Sequence, residues 1–286
     1  MFHAAHVMLD DSPAFERWRA AAAAGPSRTG DADAGFNLLQ ALTTAHHDGL
    51  GAPLQVPGAH RVATGETLLH EGSPATQICV VQAGTFKNIK TAEDGYEHVL
   101  GFAMRGDLLG YDGIAQGCYA STAVALEDSR VIVVPLGLLE SLRRIDARLD
   151  RALQHVISRQ VGHAVELAEL MAAVAADARL ARFLLHLSTR MGERGLSPRR
   201  MLLRMSRRDI AAHLGLAHET VSRSLRLLIE QGCLRVANRE IEILDFDGLR
   251  AHARSTRGLC EEGTRAPTHR PLAEPRHVHE GDLLVA

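Results

Sequence analysis

Arginine, glutamate, serine and histidine crowd one short stretch of this chain. Between Met205 and Gly232 stand Ser206, Arg207, Arg208, His218, Glu219, Ser222, Arg223 and Arg226. An arginine guanidinium can donate a bidentate pair to guanine O6 and N7, and a glutamate can accept from the cytosine amino group. Arg207 and Arg208 suit phosphate oxygens, which fix position and carry no base information. From Arg190 to Glu240 eleven arginines stand against five acidic residues, a local net charge of +6. A basic segment of that size is an electrostatic footprint for nucleic acid.

Other chemistry is thinner. His3-x-x-His6 and His277-x-His279 lie near the two ends, with no carboxylate pair or nucleophile setting beside them. Neither catalysis nor a metal centre is expected from them. The four cysteines, Cys79, Cys118, Cys233 and Cys260, contain no C-x-x-C pair, which excludes a zinc ribbon or a ferredoxin-like cluster. Cys233, directly after the base-reading segment, and Cys118 are the redox candidates. A bulky adduct at Cys233 would disturb whatever follows that segment. Cys79 reads as a small buried hydrophobe, and Cys233 reads equally well as one.

The whole chain hides this local character. Its 286 residues carry a net charge of −2, with 46% hydrophobic and 23% charged residues. That is ordinary for a soluble protein with a real core. Lys87 and Lys90 are the only lysines, so 30 of the 32 basic residues are arginines. Coding bias accounts for such a skew; clustering makes it informative. No basic-then-apolar leader and no run of about 18 apolar residues appears, so a reduced, cytoplasmic location without membrane contact is expected.

The reading residues need two helices to hold them. Ser206 is an N-cap, with Asp209 as its box-like partner three residues on. Ile210, Ala211 and Leu214 form one buried face, and Gly215 suits a turn of positive φ. A second helix from His218 buries Val221, Leu225, Leu228 and Ile229, which turns His218, Glu219, Ser222, Arg223 and Arg226 outward. The pair is a helix-turn-helix. Leu234-Val236 and Ile241-Leu244 flank Asn238-Arg239 as a hairpin, making the unit winged.

Upstream, short β runs separated by glycines between Val56 and Val134 predict an antiparallel roll or barrel. Without βαβ alternation, a doubly wound nucleotide fold is excluded. After Pro135, Leu142, Ile145, Leu149, Leu153 (or Ala152), Val156, Gln160, His163, Leu167, Leu170 and Val174 recur three and four apart, with Gln160 and His163 as polar interruptions. This is a coiled-coil seam about four heptads long, long enough to favour a dimer over one helix packed on its own domain. The fold class is α+β, in five parts. An extension (1–50) precedes the β-roll (51–136), a dimerisation helix (137–176), a winged helix-turn-helix (177–250) and a flexible tail (251–286).

From about Leu54 to Leu249 these residues resemble the Crp/Fnr transcription regulators, most closely the Fnr branch. The resemblance rests on Gly65-Glu66-Thr67-Leu68, Gly72, Val81 to Lys87 and Gly106-Asp107-Leu108-Leu109-Gly110. In the C-terminal half it rests on Arg182-Phe183-Leu184, Leu196-Ser197-Pro198-Arg199 and Glu219-Thr220-Val221-Ser222-Arg223. It implies a cyclic-nucleotide-binding-like roll and a homodimer on double-stranded DNA. The site implied is a palindrome with TTGAT-like half-sites, about 34 Å apart in adjacent major grooves. It also implies contact with RNA polymerase, for which the loop Glu93, Asp94, Tyr96 and Glu97 is the candidate, Asp94-Gly95 being also a plain turn pair.

The family's sensors transfer poorly. Where cyclic AMP would need an Arg-Ser pair the chain has Tyr119-Ala120-Ser121, so cyclic AMP is not expected. The Fnr iron–sulfur cluster needs clustered N-terminal cysteines, and none precedes Cys79. Haem on one of His46, His47, His60, His70 or His98, thiol oxidation, and control without a ligand stay open. The expected signal is of redox, oxygen or nitric-oxide type. The rival reading is a ligand-binding roll without a promoter role.

Overall fold

The computed structural model describes residues 59–145, 147–171 and 175–254. The N-terminal extension and the C-terminal tail, with His3, His6, His46, His47, Cys260, His277 and His279, lie outside the described residues.

Alternating side chains build the roll. Strands β1 (Ala59–Val62), β8 (Ser129–Pro135), β3 (Gln77–Ala83) and β6 (Leu108–Leu109) form one antiparallel sheet in that order. The second has the order β2 (Thr67–Leu69), β7 (Thr122–Ala125), β4 (Thr85–Thr91) and β5 (Glu97–Met104). Val81, Phe86, Ala103, Leu109, Ala125 and Val131 from both sheets meet inside with Tyr119 of the β6–β7 segment, all 5% exposed or less. Gly84 links β3 to β4 at φ +98, which places its α-carbon against Ser129, where a side chain has no room.

The helical pattern after Pro135 is present as α1 (Leu136–Ile145) and α2 (Ala147–Met171), on either side of residue 146. The expected seam turns out to face its own chain. Leu142, Leu149 and Val156 are buried with Ile78, Val80, Leu108, Ile132 and Val134 of the roll. Leu170 is buried in the core of the next domain, and Leu167 packs against that core. His163 meets another histidine, described below, and Gln160 Nε2 donates to the Leu108 carbonyl at 2.8 Å. The Ile145 side chain is outside the described residues. A 3–4 spacing says that a stripe is covered and not by what, and the roll covers this one. The opposite side of α2, with Val161 and Val165 59% and 56% exposed, is the open apolar side.

Beyond residues 172–174 come α3 (Ala176–Glu193), β9 (Arg200–Leu202), α4 (Arg207–Leu214), α5 (His218–Glu230), β10 (Leu234–Ala237), β11 (Glu240–Ile243) and α6 (Phe246–Arg254). The expected wing hairpin is β10–β11, turning through Asn238 at φ 57, and β9 adds a third strand in the order β10-β11-β9. The core of this domain is continuous with Ile89, Val99, Phe102 and Met104 of the roll. Phe102, Phe183 and His213 pack edge to face, with centroids 5.2–6.1 Å apart.

Candidate nucleic-acid interface

Capping chemistry sets the first helix of the pair. Ser206 Oγ accepts from the Asp209 N–H at 3.1 Å, and the Asp209 carboxylate accepts from the Ser206 N–H at 2.8 Å. This reciprocal box starts α4 and leaves Arg207 and Arg208 exposed on its first turn. Gly215, at φ 61, ends α4 and its N–H reaches back to the Ala211 carbonyl. The chain then re-enters helix at His218.

The phase of α5 decides what it presents. Val221, Ser224, Leu225 and Leu228 are buried, so His218, Glu219, Arg223 and Arg226 are exposed and Ser222 is half-buried. The outward-facing residues share one helix face by their 3–4 spacing. Ile229, expected inside, is instead 41% exposed. His218 Nδ1 lies 3.0 Å from Glu219 Oε1. The Glu219 carboxyl is held below its ordinary value, first by its own backbone N–H and then by His218, which keeps it an acceptor. Arg223 Nη2 donates weakly to Thr220 Oγ1 at 3.3 Å, Ser222 Oγ to the His218 carbonyl at 3.1 Å, and Arg226 pairs with Glu230 at 3.0 Å. All of these contacts are local and exposed, so each donor can be re-aimed at a base or phosphate at small cost.

The basic footprint is smaller than its arginine count. Arg190 and Arg194 grip the buried Asp107 at 2.6 and 2.7 Å, and Arg204 pairs with Glu127 at 3.0 Å. Arg200 and Arg235 share Glu242 at 3.1 and 3.0 Å. Arg199 donates to the Ile243 carbonyl and lies 5.0 Å over the Phe246 ring. Much of the +6 is thus engaged within the protein, and Arg207, Arg208, Arg223 and Arg226 remain exposed on the two helices. Counting charge along the chain could not separate these roles, because Asp107 and Glu127 lie outside the counted segment.

Comparison with known proteins settles the lineage. A family model described as a Crp-like helix-turn-helix domain matches residues 178–252, and one described as a cyclic nucleotide-binding domain matches residues 59–146. The chain is 35% identical over 199 residues to the fumarate and nitrate reduction regulatory protein of Salmonella typhimurium, covering 70% of this chain and 80% of that protein. The chain belongs to the Crp/Fnr family of DNA-binding transcription regulators. Transcriptional activator protein FnrA of Stutzerimonas stutzeri is also 35% identical, over 66% of this chain and 78% of its own. Among solved structures, FixK2 from Bradyrhizobium japonicum aligns with a TM-score of 0.62 at 29% identity, covering 69% of this chain and 97% of that one.

In this Crp/Fnr chain the reader is fastened to the roll. Lys87 Nζ of β4 lies 2.9 Å from Asp209, the capping-box residue of α4. His213 Nδ1 contacts the Val99 carbonyl at 3.0 Å, and Arg190 donates to the Phe102 carbonyl at 2.9 Å. None of these contacts is legible in sequence, since the partners stand 88 to 122 residues apart. Between the roll, α2 and α3 lies a cavity of about 1090 Å³, reached by Tyr111, Gln160, His163, His186, Arg190 and His213.

The sensor candidates fare unevenly. His60, His70 and His98 are exposed on the roll, unlike the histidines at the cavity. Cys233 is 2% exposed; burial and then Asp245 push its thiol up, opposite to a reactive thiolate. Burial pushes Cys79 up to about 12, and Cys118 is half-buried beside Pro74. Glu93, Asp94 and Tyr96 lie in the exposed turn between β4 and β5, with Glu97 exposed at the start of β5 and Asp94 Oδ1 accepting from the Tyr96 N–H at 3.0 Å. Among the described residues no helix is long and apolar enough to cross a membrane.

Proposed function

We propose that this regulator acts in the cytoplasm as a homodimer on a palindrome with TTGAT-like half-sites, read in the major groove, without catalysis of its own. It controls promoters in response to a signal of redox, oxygen or nitric-oxide type. The observation that carries the reading is the outward face of α5, where Glu219, Ser222 and Arg223 keep the Glu-x-x-Ser-Arg spacing. The names of the relatives, a fumarate and nitrate reduction regulator and a transcriptional activator, support the signal class and an activating role, and the exposed Glu93, Asp94, Tyr96 and Glu97 are the surface offered for contact with RNA polymerase. The exposed side of α2 around Val161, Gly162 and Val165 offers a second copy a place to pack. Cyclic AMP fits the roll poorly. Ser121 donates to Asp112 at 3.0 Å at the cavity wall, and Tyr119-Ala120-Ser121, where the family's Arg-Ser pair would stand, supplies no arginine for a cyclic phosphate.

Fluorescence anisotropy on a TTGAT palindrome and on scrambled DNA tests this reading. Arg223→Ala is expected to weaken the palindrome by about 1–3 kcal/mol and relax one base pair. Arg207→Ala is expected to weaken every sequence and lower the salt slope by about 1. Equal binding of palindrome and scramble by the wild type would remove the reading and favour a roll that binds a ligand without touching promoters.

A further inference from the structure

Three cavity-side groups have no part in reading DNA. His163 and Glu166 stand three residues apart on α2, hence on one face, and His186 of α3 meets them from across the α2–α3 junction. The His163 and His186 rings are nearly perpendicular, with centroids 5.2 Å apart. His186 Nδ1 touches Glu166 Oε2 at 2.5 Å. One ligand atom from each of the three residues lies within 4.8 Å of the other two. Ligands around an ion with bonds of about 2.0–2.2 Å stand roughly 3–3.5 Å apart. Small side-chain rotations close that gap, with the His186–Glu166 contact opening to admit the ion.

We propose that His163, Glu166 and His186 bind a first-row divalent transition-metal ion that ties α2 to α3. Two imidazoles and one carboxylate are a borderline donor set, suited to Zn²⁺, Co²⁺ or Fe²⁺ and not to Mg²⁺ or Ca²⁺, which want an oxygen cage. Burial first, then Arg190 nearby, pushes both imidazoles toward the neutral form that ligates. The guanidinium charges of Arg159, Arg190 and Arg194 oppose a cation, and Asp107, which all three approach within 3.8 Å, offsets part of that field. Glu166 adds a second negative charge, directly at the ion, leaving these five groups at +1. Three protein ligands leave at least one coordination position toward the cavity, open to water or a small diatomic molecule. The sequence hid the site twice over, since His163 read as a seam residue and His186 lies 20 residues from Glu166.

The site sits where the helix that leaves the roll meets the helix that enters the reader, so an ion there fixes the angle between them. Metal binding itself is independent of which DNA sequence is read.

The test titrates the full chain, stripped with chelator and dialysed, with Co²⁺, following ligand-field absorption and bound metal per chain. Histidines elsewhere also take up Co²⁺, so the readout is the difference between wild type and variants. His163→Ala and His186→Ala are each expected to lower the stoichiometry by one and abolish the strongest ligand-field bands. Glu166→Gln is expected to weaken that equivalent tenfold or more. A wild type that binds no more Co²⁺ than the His163→Ala/His186→Ala double variant overturns the site. A second measurement needs no variant: carbethoxylation of wild type with and without Zn²⁺, mapped by mass spectrometry. Protection of His163 and His186 by Zn²⁺ supports the site, and equal labelling of both with and without the ion overturns it.

Discussion

Asp107 offers the sharpest test of how the two halves are joined. Its carboxylate is 2% exposed, accepts the Met104 N–H at 2.8 Å, and faces Arg190, Arg194 and Arg159 at 2.6, 2.7 and 3.8 Å. Burial raises its pKa, and the guanidinium groups outweigh burial, leaving it below the ordinary carboxylate range. Asp107→Asn keeps the shape, removes the charge and turns an amide donor toward one arginine. Removing one partner of a buried pair costs about 3–5 kcal/mol, because the other charge stays behind uncompensated. Arg190 and Arg194 side chains are each 8% exposed, too little for water to take over, and Arg159 at 18% is better placed to find it. The loss should therefore sit near the middle, about 4 kcal/mol on that scale. With a slope of about 2 kcal/mol per molar urea, the midpoint falls by about 2 M. Urea denaturation followed by circular dichroism measures it. Arg226→Ala is the comparator: its pair with Glu230 has side chains 81% and 60% exposed, and should cost about 0.3–0.5 kcal/mol or less. If Asp107→Asn costs under about 1 kcal/mol, the arginines do not depend on that carboxylate, and the account of the junction is wrong.

Asp209 should give stability a pH dependence. Burial raises its pKa, yet the Ser206 bonds and Lys87 outweigh it, so the folded value lies below the unfolded one. Its contribution is then full above the unfolded value, near 4, and lost as pH falls through the folded value. The stability gap between wild type and Asp209→Asn should be widest at neutral pH and close on acidification; a gap that grows in acid contradicts the assignment. Gly84→Ala places a Cβ 2.0 Å from Ser129 Oγ and 2.9 Å from Ser129 Cα at φ +98. Strain and overpacking together should cost about 2–5 kcal/mol, visible as a lowered thermal midpoint. Ser206→Ala removes the N-cap of α4 and should cost about 1 kcal/mol in urea, leaving the roll's own packing untouched.

Local chemistry was the most legible part of the chain. The Ser206–Asp209 box, the Gly215 turn and the phase of α5 are written within a few residues of where they act, and the structure shows each of them. The stripe on α2 was legible only as a stripe. Periodicity records that Leu149 and Val156 are covered, while the identity of the cover is decided by β3 and β8, separate strands upstream that the helix's own spacing does not register. Charge counting failed for a related reason. Arg190 and Arg223 are the same letter, yet one is 83 residues from the carboxylate that neutralises it and the other is exposed on α5. Strand β9 left no signal because three residues are too short for alternation to register.

The fastening of Arg190, Arg194 and Arg204 to Asp107 and Glu127 has a consequence for charge regulation. In the arrangement described, the roll keeps three cations of the reader to itself. An arrangement that parts the reader domain from the roll would release them toward solvent, and each one that then met a phosphate would steepen the salt dependence of binding by about 0.9. The positive charge that this protein can offer to DNA is set by the posture of its domains as much as by its sequence.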